Sequence, residues 1–171
     1  IHPGVIIDIG CYTWDWSQYF LDNGRRVIGF DLNEVCQPAG AELRRQAVMP
    51  FVGNFKIGGN NAVDATVMPI FNNTVSEIES VSLDSVLAEF HIMPSLIKMN
   101  IEGAEYPLLF SLKNPPADQL VVSFHDFAHF PFPKYLSEIV RNYLSMWYNW
   151  TETSSEYSWW IGLLKEELRV K

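Results

Sequence analysis

The sequence predicts an α/β fold, an open, mostly parallel sheet with helices on both faces and an antiparallel hairpin at its end. Three observations predict it. Short apolar runs rich in Ile, Val and Leu recur at Val5–Ile9, Leu96–Ile101 and Leu120–Phe124, as strands buried on both faces require. Helical patterns lie between such runs, and parallel neighbours need a crossover of that kind. The tail then carries two strand-like stretches, Tyr148–Thr153 and Tyr157–Leu164, with only Ser154-Ser155-Glu156 between them. So short a link forces antiparallel pairing.

The elements follow in order. Val5–Ile9 is a strand ended by Gly10, and Asp15–Leu21 is a helix stopped by Asn23-Gly24, Gly supplying the left-handed residue past the last turn. Arg26–Leu32 is the second strand and carries an acid, Asp31, at its end. Strand, helix and strand within about 30 residues make a βαβ unit, whose crossover is right-handed. Ala41–Gln46 is expected as a short helix and Val48–Val52 as a third strand. Gly58-Gly59-Asn60-Asn61 is expected to turn Phe55-Lys56-Ile57 back onto Ala65–Phe71 as an added hairpin,. Leu83–Phe90 reads as a helix started by Ser82 or Asp84, and Ala104–Leu112 as another stopped by Pro115-Pro116,. Lys134–Trp147 is the longest helical pattern, with Leu136, Ile139, Val140, Tyr143 and Leu144 at helical spacing,. No repeat or linker interrupts residues 1–171, so one domain is expected,.

Composition narrows the partners. Apolar residues make up 48% and aromatics 14% of 171 residues, enough to bury a core against chain entropy. Twelve basic residues stand against 20 acidic ones, for a formal charge of −8. Nucleic-acid phosphates and anionic lipid are poor partners for such a surface, which leaves a small molecule entering a local pocket. No stretch approaches the roughly 20 apolar residues of a membrane span. The N-terminus does not read as a signal peptide, and Cys11 and Cys36 form neither a disulfide framework nor a metal pattern,. A cytoplasmic location is the expectation.

The chemistry concentrates at three strand ends. In Asp8-Ile9-Gly10-Cys11-Tyr12-Thr13-Trp14, Gly10 lets a ligand approach the backbone, and the amides entering the next helix offer donors. A pyrophosphate would call for G-x-G-x-x-G, and only one of those glycines is present. The carboxylate of Asp8 repels phosphate and attracts an ammonium, so the cationic amino-acid end of S-adenosylmethionine suits the turn better. Asp31, 21 residues after Gly10, can chelate two ribose hydroxyls as in dinucleotide folds. The residues expected at the nucleoside are Asp8, Gly10, Cys11 and Tyr12, then Asp31 with Leu32.

Asn100 and Glu102 of the segment Lys98-Met99-Asn100-Ile101-Glu102-Gly103-Ala104-Glu105 gather with His125 and Asp126 outside the carboxyl ends of their strands, where ligands of open α/β sheets sit. His125 is the expected base, since imidazole titrates near neutrality, with Asp126 orienting it and Glu102 beside it. Glu105 reads equally well as an acid favouring the first turn of its helix. No metal is expected, because the spacing supports no ligand set.

With these segments placed, the chain resembles the FkbM-type S-adenosylmethionine-dependent methyltransferases. That family has a D-x-G turn after the first strand, a leucine–aspartate pair such as Leu83-Asp84, and then a K-[IM]-D-[IV]-E-G-x-E segment, here KMNIEGAE. The resemblance runs from residue 5 to about residue 127. It implies a Rossmann-like, seven-stranded sheet of order 3-2-1-4-5-7-6 and O-methylation of a small-molecule hydroxyl. It also implies that Asp8 and Gly10 face the methionine moiety, Asp31 the ribose, and Asn100 the methyl group. Trp14 stands where the family has its last glycine, Tyr12 where a small or amide residue is common, and Asn100 where it has aspartate. A ring at position 14 is expected to narrow the pocket. Two rival readings are a nucleoside-binding protein without transfer activity and a nicotinamide-dependent oxidoreductase.

Overall fold

Side-chain alternation along the central strands decides which helix covers which face. In the computed structural model, which describes residues 4–33, 36–58, 74–91, 93–126, 136–154 and 159–169, the chain begins with β1 (Ile6–Ile9), α1 (Asp15–Asp22), β2 (Val27–Phe30) and β3 (Ala41–Arg44). It continues through β4 (Ala47–Met49), β5 (Gly53–Gly58), β6 (Thr74–Ser82), α2 (Leu83–Ala88), β7 (Leu96–Met99) and α3 (Glu105–Phe110). It ends with β8 (Gln119–Ser123), α4 (Leu136–Leu144), β9 (Tyr148–Ser154) and β10 (Trp159–Leu164).

Seven of these strands form one sheet of order β3-β2-β1-β7-β8-β10-β9. Only β10 runs against its neighbours, pairing antiparallel with both β8 and β9. Numbered within this sheet alone, the strands follow the expected order 3-2-1-4-5-7-6, and the expected tail hairpin is β9–β10.

Successive strand residues point to opposite faces. Ile7, Ile9, Ile28, Phe30, Ile97, Met99, Leu120 and Val122 therefore share a core with Leu83 and Val86 of α2, Leu108 and Leu109 of α3, and Val140 and Leu144 of α4. Ile6, Val27, Leu96 and Val121 face the other way, against Trp14 and against Trp16, Phe20 and Leu21 of α1. Each such side chain contributes roughly 2 kcal/mol on full burial, so the two faces specify both helix placement and strand register.

Three expectations for residues 41–82 are corrected. Ala41–Gln46 is not a helix: Ala41–Arg44 extends as β3, parallel to β2. Glu42 pairs with Arg26 and Arg44 there, and Arg44 also pairs with Glu89. An edge strand needs such charge on its rim, and at this length the pattern of alternating Glu and Arg does not separate strand from helix. Ala47–Met49 does form a strand, yet it leaves the main sheet and pairs with β6; Pro50 follows it at once. Finally, β5 turns back onto β6, not onto Ala65–Phe71. That segment, with Gly59, Asn60 and Asn61, lies outside the described residues.

The second sheet, β4-β6-β5, places Ile57, Ile78, Ala47 and Met49 against Ala104 at the entry to α3. Its other face carries Lys56 opposite Glu77 and Asn54 opposite Glu79. This sheet supplies one wall of the site. Among the described residues, no helix is long and apolar enough to cross a membrane.

Candidate functional site

The carboxyl ends of β1, β2 and β7 stop at nearly one level, and the chain leaves each of them through a turn. Between these turns and β4 lies an open cleft of about 670 Å3, counting the space open to solvent, lined by Gly10, Tyr12, Asp31, Leu32, Asn33, Gln46 to Met49, Asn100 and Glu102, among others.

Gly10 closes the first turn. Its N–H donates to the Phe30 carbonyl at 2.8 Å, and the Asn100 N–H donates to the Ile9 carbonyl at 3.0 Å. The turn has φ of +80°, and a Cβ there would stand 2.0 Å from the Asn100 carbonyl oxygen. Only glycine fits so tight a junction. Tyr12 (φ +36°) and Trp14 (φ +63°) also hold left-handed backbone, as does Glu102 (φ +52°) on the opposite side of the cleft. Two of them, Tyr12 and Glu102, line the cleft, the kind of backbone cost that surrounding structure sustains at functional sites.

Asp31 is buried and fixed from both sides. Its carboxylate accepts from the Tyr12 N–H at 2.8 Å and the Asn33 N–H at 2.8 Å, and from the Asn33 side-chain amide at 3.2 Å. The acid at the end of the second strand is therefore held rigidly at the cleft wall. Beside it Leu32 packs with the β4 cluster.

Asp8 and Cys11, expected at the nucleoside, do not line the cleft. Alternation sends Asp8 to the α1 face, where it is fully buried and ion-paired with Lys98 at 2.8 Å. Ser17 donates to the same carboxylate at 2.5 Å. Burial raises the Asp8 carboxyl above the ordinary carboxylate range, with Lys98 and Ser17 pulling the other way. Lys98 also donates to the Gly10 carbonyl at 2.5 Å, so it occupies both groups that the turn could have offered an ammonium. Cys11 is likewise buried, and burial pushes its thiol up, as expected of an inert structural cysteine.

Trp14 does not narrow the cleft. Its indole is buried in the α1-side cluster with Ile6, Cys11 and Val27, on the far face of the sheet. The left-handed backbone that a glycine would adopt is retained while the ring packs elsewhere.

The expected catalytic group divides. Glu102 lines the cleft, and His125 Nε2 lies 3.3 Å from its carboxylate. His125 Nδ1 lies 2.9 Å from Glu105, which is fully buried. Burial by itself pulls the imidazole down, but the Glu105 and Glu102 carboxylates outweigh it and push it up to about 10. A ring already protonated at neutral pH donates hydrogen bonds and does not accept a proton. Asp126 turns away from this group, accepting from the Tyr106 hydroxyl at 2.6 Å and the Ser137 N–H at 3.2 Å, and from the Ser137 hydroxyl. It holds the first turn of α4. Among the described residues, no group of three His, Cys, Asp or Glu side chains is arranged to hold a metal.

Sequence reasoning missed Gln46, Ala47, Val48 and Met49. In the sequence, Val48 and Met49 read as part of a third strand of the main sheet, and Gln46 as the end of a short helix. Asn33 was equally invisible, since its contribution is an amide and a side chain directed at Asp31.

Comparisons with known proteins agree with the fold. Residues 8–146 match the family model for the methyltransferase FkbM domain. The crystal structure of methyltransferase FkbM from Methylobacillus flagellatus KT superposes with a TM-score of 0.56 at 12% identity, covering 94% of this chain and 43% of that one. Monomeric WbdD superposes at 0.50 with 13% identity, covering 94% of this chain and 36% of that one. The chain thus spans less than half the length of either structure. No curated protein sequence matches it significantly. With the family model extending over most of its residues and the sheet order in agreement, the chain belongs to the FkbM methyltransferase domain family.

Proposed function

We propose that this domain binds S-adenosylmethionine in the cleft and transfers its methyl group to a hydroxyl of a small molecule. The observation that carries the reading is Asp31. Two backbone amides orient its carboxylate at the end of β2, where it can accept from both hydroxyls of a ribose. The residues present fit the nucleoside half of the donor. The Gly10 turn leaves no room for a Cβ, so backbone forms that wall of the cleft, while Leu32, Val48 and Met49 supply apolar surface for a base. The turn meets the amino-acid end through its backbone and not through Asp8, whose charge Lys98 already balances.

When bound, the sulfonium supplies a methyl group already activated for transfer. The chain's own residues then have to align the acceptor, exclude water and take up a proton. The protonated His125 is a donor, so the base role expected of it passes to Glu102, the carboxylate that lines the cleft.

Titration calorimetry tests the binding step. Wild-type protein should bind S-adenosylhomocysteine and not NAD. Asp31→Asn should weaken that binding at least tenfold, about 1.4 kcal/mol. Equal affinity in both proteins, or tighter binding of NAD, would refute the reading.

A further inference from the structure

Glu105 has no solvent exposure, and a carboxylate so placed is costly unless hydrogen-bonded. It accepts three times. The Gly103 N–H donates to one oxygen at 2.9 Å, and the His125 backbone N–H and Nδ1 each lie 2.9 Å from the other. One side chain therefore ties the turn at 102–103 to the end of β8, 20 residues further on. The turn needs such a tie, because Glu102 holds a left-handed backbone at φ +52°. With Nδ1 committed to Glu105, His125 presents Nε2 to Glu102 at 3.3 Å. The three side chains form a carboxylate–imidazole–carboxylate array whose outer member lines the cleft.

We propose that Glu105 is the positioning residue of the site: it fixes His125 and the 102–103 turn so that the Glu102 carboxylate meets the acceptor hydroxyl and receives its proton. This rests on the functional reading above. As the acceptor oxygen bonds to the methyl carbon, the bond from that carbon to the donor breaks with its electron pair, and the hydroxyl proton passes to Glu102. The array carries two carboxylates and one imidazolium, for a net charge of −1. It therefore favours an acceptor that is neutral at its reacting group and disfavours a carboxylate or phosphate there. Charged groups around the array include Asp126, next in the chain, and Arg141 of α4, which interacts with Asp126, and Asp31 lines the same cleft as Glu102.

Ring NMR of histidine-labelled protein tests the array, with His125→Gln identifying the His125 signal. The wild-type ring should stay protonated to about pH 9, since its value lies at about 10. Glu105→Gln should lower its midpoint by two units or more. A wild-type ring that is neutral at pH 7, or a midpoint unmoved in Glu105→Gln, overturns the proposal. Should Glu105→Gln fail to fold, Glu102→Gln supplies the measurement. Once neutral, its His125 ring must keep the proton on Nδ1, facing Glu105, and a proton on Nε2 overturns the assignment. S-adenosylhomocysteine binding beside a neutral His125 refutes this proposal and spares the functional reading. A charged His125 in a protein that binds no S-adenosylhomocysteine refutes the functional reading, and the acceptor role of Glu102 with it.

Discussion

The indole of Trp14 occupies the space that Gly29 leaves open on β2. A Cβ at Gly29 would stand 2.3 Å from Trp14 Cη2 and 2.9 Å from Cys11 Sγ. Ring and backbone are packed too closely for either to yield. Gly29→Ala should therefore destabilise the protein by about 2 kcal/mol or more, measured by urea unfolding. Trp14→Gly relieves the left-handed strain, of order 1 kcal/mol, yet leaves a cavity costing about 3 to 5 kcal/mol. The net effect should be a loss. Because the ring faces away from the cleft, S-adenosylhomocysteine affinity should change little under conditions where Trp14→Gly is folded.

Lys98 and Asp8 are both buried at their 2.8 Å contact. Removing one charge leaves the other without compensation, at a cost of about 3 to 5 kcal/mol. Lys98→Met should thus be strongly destabilising in denaturant unfolding. The double variant Asp8→Asn/Lys98→Met should recover much of that loss, and additive effects would contradict the pairing.

Gly10 admits no side chain, with the Asn100 carbonyl 2.0 Å from a built Cβ. Gly10→Ala should part the ends of β1 and β7 and cost about 3 kcal/mol or more, combining overpacking with left-handed strain. Calorimetry should find S-adenosylhomocysteine binding lost even where circular dichroism shows the fold retained.

His125 makes stability depend on pH. Its value rises to about 10 in the folded protein, against about 6.5 for an unperturbed histidine. A raised value means that the folded state binds the proton more tightly. The contribution is complete below about pH 6.5 and is lost as pH rises through about 10. It amounts to about 5 kcal/mol at most. The melting temperature should therefore fall between pH 7 and pH 10, and His125→Gln should flatten that slope.

The legible parts of the chain were those where local chemistry had a single outcome. The runs Ile6–Ile9 and Leu96–Met99 could be little else than buried strands, and Gly24, at φ +69°, stops α1 where a glycine signal stood. Strand boundaries ran one or two residues long at Arg26–Leu32, since Asp31 and Leu32 leave the ladder to border the cleft. Residues 41–49 were misread because short stretches of mixed charge and apolar character carry no period of their own. Whether Ala47–Met49 joins one sheet or another depends on which strand comes to meet it, and that strand, β6, lies about 30 residues away.

The site divides along the same line. The sequence by itself determined the residue types at the strand ends and placed Gly10, Tyr12, Asp31, Leu32, Asn100 and Glu102 beside one another, because strand ends in a parallel sheet converge. Only the tertiary structure decided which way each side chain faces. It turned Asp8 and Cys11 to the α1 side, sent the Trp14 ring beneath the sheet, bound Asp126 to Tyr106 and α4, and set His125 between Glu102 and Glu105. Those choices depend on pleat alternation and on partners distant in the chain: Lys98 is 90 residues from Asp8, and His125 is 20 from Glu105. A protonation state set by such partners becomes readable only once the chain has brought them together.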